Sequence, residues 1–215
     1  MKFSEEEKEE KKEETTPIIL LNTSSEQPKL RSVKLFGSLS EDKVEEIACT
    51  LLELQKTGIE EVLEDPTNPD SPVAETIYKP VDFYISTWGG CAYGMFTLYD
   101  VIREMRENYD ICTYGLGKVM SAGVLLLASG TKGKRKIGKS CRVMIHSTVG
   151  EQWGALHNLE NEMNEMRWIQ EQLCTTLIKE TKLTRRQLKK MLDKRVNFYF
   201  TAKEAVEYGI ADIIV

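Results

Sequence analysis

The chain predicts an α/β fold made of repeated βα units, and two stretches carry that prediction. Val81-Asp82-Phe83-Tyr84-Ile85-Ser86-Thr87 alternates like a strand, runs into Trp88-Gly89-Gly90, and is followed by Met95, Leu98, Val101 and Ile102 at helical spacing, ending near Asn108. Ile111-Cys112-Thr113-Tyr114-Gly115 repeats the pattern, leading through Gly117-Lys118-Val119-Met120-Ser121-Ala122-Gly123 into the apolar run Val124-Leu125-Leu126-Leu127-Ala128, which reads as a buried helix. A strand, a glycine-rich turn and a helix occurring twice in succession imply parallel strands crossed by helices. Sites in such folds gather at the carboxyl ends of the strands, here Gly89-Gly90 beside Ser121.

Before this frame, Met1 to Thr16 is dominated by Glu and Lys, a run that buries no apolar surface and reads as a disordered tail or a solvated helix. Pro17-Ile18-Ile19-Leu20-Leu21 is the first apolar segment, suited to anchoring on a neighbouring surface. Val33 to Gly37 reads as a short strand. Ser40 is a good N-cap, with Glu41 and Asp42 complementing the helix dipole, and Val44, Ile47, Leu51, Leu52 and Leu54 form the apolar stripe of the helix that follows. Thr57 to Pro80, with Glu64-Asp65-Pro66-Thr67-Asn68-Pro69-Asp70-Ser71-Pro72 at its centre, reads as a long surface loop.

After the second unit, Lys132-Gly133-Lys134-Arg135 reads as a turn, solvated or able to contact phosphate, and Arg142 to His146 as a strand with the imidazole at its end. Leu156 to about Lys179 is a long helix whose Leu159, Met163, Met166, Leu173 and Leu177 suit a core or an oligomer interface. Capping boxes start two short helices, Thr184 with Gln187 and Thr201 with Glu204, the second closing at Gly209. Ile210 to Val215 reads as a final strand.

Composition excludes several classes. A chain of 215 residues, 41% hydrophobic, suits one domain with a tail. Its net charge of −5 argues against a general nucleic-acid binder. No run approaches the ~20 apolar residues of a membrane span, so a soluble, cytoplasmic protein is expected. Five scattered cysteines without a CxxC pair read as reduced, buried apolar residues, and with two histidines a metal site is not expected.

At a strand-to-helix turn, Ser121 reads either as a small N-cap or as a nucleophile, because the unsatisfied N–H groups of a first helical turn suit an oxyanion. A nucleophilic serine needs a base. His157, at the start of the long helix, reads as a surface residue; His146, at the end of a strand, is held where it can be aimed.

Gly117-Lys118-Val119-Met120-Ser121-Ala122-Gly123, Gly133-Lys134-Arg135, Arg142-Val143-Met144-Ile145-His146 and Glu204-Ala205-Val206-Glu207-Tyr208-Gly209-Ile210-Ala211-Asp212 together resemble the proteolytic subunit of the ATP-dependent Clp protease, a serine peptidase family. The resemblance covers Val33 to Val215. It implies the Clp protease/crotonase fold over a peptidase domain at 17–215, with a protruding handle helix at about 147–180. It also implies stacked heptameric rings, homomeric or mixed with a paralogue, an AAA+ unfoldase partner that consumes the ATP, and unfolded polypeptide substrates, with no cofactor on this chain. By that resemblance Ser121 is the nucleophile, His146 the base, and the N–H groups of Gly90 and Ala122 the oxyanion hole. Gly89 and the segment Val149-Gly150 bind substrate.

This sequence departs from the family pattern at several places. Asn197 stands where the family has its aspartate, able to hold the imidazole but bringing no charge, and Asp193 is a carboxylate four residues away. Trp88 replaces a proline, Ser147-Thr148 replaces Gln-Pro, and Glu151 replaces a glycine. Two other readings stand beside a peptidase: a weakly active or inactive structural ring subunit, and an acyl-CoA-handling enzyme of the crotonase type.

Overall fold

Strand pairing follows directly from the alternation in the sequence. The structure is a computed structural model that describes residues 30–151, 153–193 and 196–215; the charged tail at 1–16 and the apolar segment at 17–21 lie outside the described residues. In chain order the elements are β1 (Ser32–Leu39), α1 (Glu41–Thr57), β2 (Ile59–Leu63), β3 (Val73–Tyr78), β4 (Val81–Gly90), α2 (Ala92–Met105), β5 (Ile111–Met120) and α3 (Ala122–Ala128). There follow β6 (Lys136–Ile137), β7 (Arg142–Ile145), α4 (Leu156–Glu180), α5 (Arg185–Leu192), β8 (Phe198–Phe200), α6 (Ala202–Glu207) and β9 (Ile213–Ile214).

Among the described residues, β1, β4, β5, β6 and β9 run side by side in that order, all parallel. The long β5 serves two neighbours: Tyr114 and Gly115 pair with β6, while Lys118 to Met120 pair with β7, which in turn pairs antiparallel with β8. The mixed α/β fold is therefore the one expected, with α1 and α2 as crossovers between parallel strands.

Burial follows the pleat. Val81, Phe83, Ile85 and Thr87 of β4 face the helices and are fully buried, whereas Asp82, Tyr84, Ser86 and Trp88 face the other way and are partly or largely exposed. Every residue of α3 is buried. Ser40 caps α1 by accepting from the Lys43 N–H, and both capping boxes form as expected. In α4 the apolar stripe is divided: Cys174 and Leu177 join the core, while Leu156 and Met163 are exposed.

The region 57–80 is not a loop. Ile59–Leu63 and Val73–Tyr78 form an antiparallel hairpin that pairs with no other strand of the described residues. Pro66, Pro69 and Pro72 are confined to its tip, where Asp65 and Ser71 organise the turn, while Glu60, Glu61 and Glu75 lie in the strands. The final strand is also shorter than expected, two residues rather than six. Cys49 is exposed, contrary to its reading as a buried residue; Cys141 and Cys174 are buried, and all five thiols are free.

A buried polar network ties the carboxyl-terminal region to this core. Arg135, 4% exposed, donates to both oxygens of Asp212 at 2.6 and 2.8 Å, and to the carbonyls of Ala128 and Glu180. Glu180, 2% exposed, accepts from Tyr99 and from both terminal nitrogens of Arg106. Every buried donor and acceptor of this cluster is therefore matched, as burial in low dielectric requires.

Candidate active site

Ser121 sits between the last residue of β5 and the first of α3, with φ 53° and ψ −121°. Among the described residues it is the only non-glycine residue with positive φ, a conformation that costs of the order of 1–3 kcal/mol and persists where surroundings enforce it. Its N–H donates to Met144 O at 2.8 Å, fastening the turn to β7. Its side chain does not cap α3, so the hydroxyl is not spent on the helix it begins. Val124 N–H bonds back to Ser121 O, while Ala122, as the first helical residue, has an N–H with no acceptor within the helix.

The end of β4 closes against this turn. Gly89 has φ +94°, and a Cβ there would lie 2.5 Å from Ser121 Cβ. Gly90 has φ +150°, and a Cβ there would lie 2.3 Å from Leu39 O. Both positions thus require glycine for close approach, one to the serine and one to the end of β1. The structure brings Gly89, Ser121 and Ala122 together, with Gly90 next in the chain.

His146 follows β7 directly, two residues beyond the carbonyl that holds Ser121. The serine and the imidazole therefore emerge from neighbouring strands at the same end of the sheet. His146 and Asn197 line one cavity of about 220 Å³ together with Ser147, Val149 and Val196, and Ser121 is not among its lining residues. Val149 and Gly150 are exposed beside it, in a segment held by the Thr148 N–H donating to Gln170.

The imidazole is held differently from the way the resemblance implies. His146 Nδ1 lies 2.6 Å from the carbonyl oxygen of Ser147. A carbonyl only accepts, so Nδ1 carries the proton and Nε2 presents its lone pair, the tautomer a general base needs. Among the described residues no hydrogen bond joins Asn197 to His146; the Ser147 backbone occupies the place expected for Asn197. Ser147 is itself tied down, its hydroxyl donating to Leu192 O at 2.9 Å. Asp193, the C-cap of α5, is exposed and does not line the cavity. His157 is exposed on α4, near Glu160 and away from this cavity.

Residues 73–215 match the family model described as Clp protease. The chain belongs to the Clp protease family. It is accordingly a Clp-type protease subunit, of the serine-type peptidase class. It is 33% identical over 141 residues to ATP-dependent Clp protease proteolytic subunit 1 of Prochlorococcus marinus (strain MIT 9312), covering 66% of this chain and 70% of that protein. It is similar to proteolytic subunit 4 of Rhodococcus jostii (strain RHA1) at 32% identity over 142 residues, covering 66% of this chain and 71% of the relative. Subunit 1 of Bifidobacterium longum (strain NCC 2705) is 37% identical over 135 residues, 62% of this chain and 56% of the relative.

Two features of this Clp-family site escaped the sequence. The Ser147 carbonyl is backbone, so no side-chain motif signals it. The Lys118 ammonium lies 4.6 Å from the ring centroid of Trp88, a pairing visible only once β4 and β5 are in register. Among the described residues no group of three or more His, Cys, Asp or Glu side chains is placed to hold a metal ion. No helix is long and apolar enough to cross a membrane among them.

Proposed function

We propose that this chain is a serine endopeptidase whose nucleophile is Ser121. His146 Nε2 takes the hydroxyl proton as Oγ attacks a peptide carbonyl, then returns it to the leaving amine; water releases the acyl-enzyme by the same route. The backbone N–H groups of Gly90 and Ala122 receive the developing oxyanion. Val149 and Gly150 pair with the substrate backbone. The observation that carries this reading is the strained Ser121 turn, packed against Gly89 and fastened to the strand that ends at His146.

Ser147 O supplies the tautomer and Asn197 supplies no charge, so the imidazolium formed during attack lacks the carboxylate that usually stabilises it. The chain works as a slow peptidase within a ring assembly of this family, homomeric or mixed, served by an AAA+ unfoldase that consumes the ATP and delivers unfolded polypeptide. It uses no cofactor of its own, in a cytoplasmic compartment. The missing contact between Asn197 and His146 favours one second reading, a structural subunit with a silenced site.

Labelling with a fluorophosphonate near neutral pH, read by intact mass, separates the two. Stoichiometric labelling that disappears in Ser121→Ala supports the peptidase. No labelling of the wild type, with labelling gained in Asn197→Asp, supports the structural subunit.

A further inference from the structure

The helices α1 to α3 cover one face of the sheet, and the opposite face carries three cation–aromatic pairs. Lys118 Nζ lies 4.6 Å from the Trp88 ring, Lys136 Nζ 4.9 Å from Tyr114, and the Arg142 guanidinium 5.8 Å from Tyr199. Lys118 and Arg142 are cross-strand neighbours, so two pairs join into one row across β4, β5, β7 and β8. Trp88 is 61% exposed and Tyr199 44%. Among the described strand residues on this face, Asp82 is the only carboxylate. In a protein of net charge −5, this is a concentrated cationic and aromatic surface, and among the described residues no element of secondary structure is paired or hydrogen-bonded across it.

The β2–β3 hairpin is its chemical complement. From Thr57 to Tyr78 there is no Lys or Arg, while Glu60, Glu61, Glu64, Asp65, Asp70 and Glu75 are all present. Ile59, Val62, Val73 and Ile77 stand 36–50% exposed among them. A two-stranded hairpin of this length is at best marginally stable in water alone, so its apolar side chains call for a surface to rest on. Among the described residues no ion pair joins the hairpin to the row within its own chain. The hairpin is rooted where Lys79 N–H bonds to Gly58 O, just before β4 begins, whereas Trp88, Lys118, Arg142 and Tyr199 lie towards the catalytic end.

Complementary but distinct surfaces on one molecule generate head-to-tail contacts between copies, which close into rings when the rotation permits. We propose that the acidic hairpin of one copy docks on the cationic, aromatic sheet face of the next copy. Carboxylates of the hairpin meet Lys118, Lys136 and Arg142, while its exposed Val and Ile side chains rest on the aromatic rings. This contact uses the hairpin rather than α4, and it depends on salt.

The test is carbodiimide cross-linking of a mixture of light and isotope-labelled full-length protein, followed by sedimentation of charge-reversed variants. Cross-links between light and heavy copies are expected from Glu61, Glu64 or Glu75 to Lys136 or to Lys34, which is exposed on β1 beside its register partner Tyr84. Reversing the three glutamates to lysine weakens self-association about tenfold or more. Lys34→Glu with Lys136→Glu does the same, and mixing the two variants restores association. The proposal is overturned if the wild type is monomeric, if both reversals leave association unchanged, or if the hairpin cross-links to a different surface or only to a different protein. Neither variant touches Ser121 or His146, so fluorophosphonate labelling of the dissociated protein reports on the peptidase reading separately.

Discussion

The backbone of Gly89 lies so close to Ser121 that a Cβ added to the glycine would fall 2.5 Å from the serine Cβ and 3.0 Å from its Oγ. Gly89 also has φ +94°, a conformation that side chains rarely adopt. Gly89→Ala therefore forces either the strand end or the serine turn to move. The expected result is a loss of about 1–3 kcal/mol in unfolding free energy and a fluorophosphonate reaction at Ser121 slowed at least about tenfold. Wild-type labelling in a folded Gly89→Ala protein would show that the serine does not depend on this contact.

Acid stability should report on the Arg135 cluster. Burial opposes the charge on Asp212, but Arg135 and the Gly133 N–H outweigh it and hold the carboxyl below its ordinary value of 3.8. Burial likewise opposes the charge on Glu180, and Arg106 with Tyr99 holds it below 4.5. Groups with lowered folded pKa contribute stability that is fully present above their ordinary values and is lost as pH falls through the lower folded ones. Stability attributable to this pair is thus flat from neutral pH down to about 5 and declines from there. Arg135→Met should cost about 3–5 kcal/mol at pH 7 and flatten the acid limb of a denaturant titration; an unchanged limb would remove the cluster from the account.

Excising the hairpin should leave the rest of the fold intact. Glu60 and Ile77 are register partners, so joining them through Asn-Gly in place of 61–76 forms a two-residue turn. Shortening such a loop changes closure entropy by about 1 kcal/mol or less. Urea unfolding within that margin of the wild type is expected, and a collapse of the transition would mean that the hairpin supports the sheet.

The thiols should divide by environment. Cys49 is exposed, whereas burial pushes the Cys141 thiol up to about 11. Iodoacetamide at pH 8 should modify Cys49 at least about 100-fold faster than Cys141 in the native protein, with the difference abolished in denaturant. Mass mapping of the modified cysteines checks this.

Local chemistry made much of this architecture legible. Ser40, Thr184 and Thr201 marked helix starts because capping depends on residues three apart. The turn at Ser121 is legible because glycines, a strand and an apolar helix meet there. The hairpin was missed because its strands are exposed on both faces, so the two-residue alternation of a half-buried strand is absent, and three prolines at its tip dominate the composition. β6 and β8 were missed because two or three residues are too few to show a period. At the site, the contact of His146 Nδ1 with the Ser147 carbonyl is set by register and loop path, not by residue type, and so has no signature in the sequence.

Ser121 and Asn197 are built into the molecule at very different depths. The serine turn leads into seven consecutive buried residues of α3, so its geometry is inherited from the core and can be lost only by damaging the fold. Asn197 is exposed beside an edge strand that, among the described residues, pairs with β7 alone. Tolerance to substitution therefore divides between the two positions: a side chain exchanged at 197 meets solvent, whereas one exchanged at 121 must satisfy a left-handed backbone wedged against Gly89.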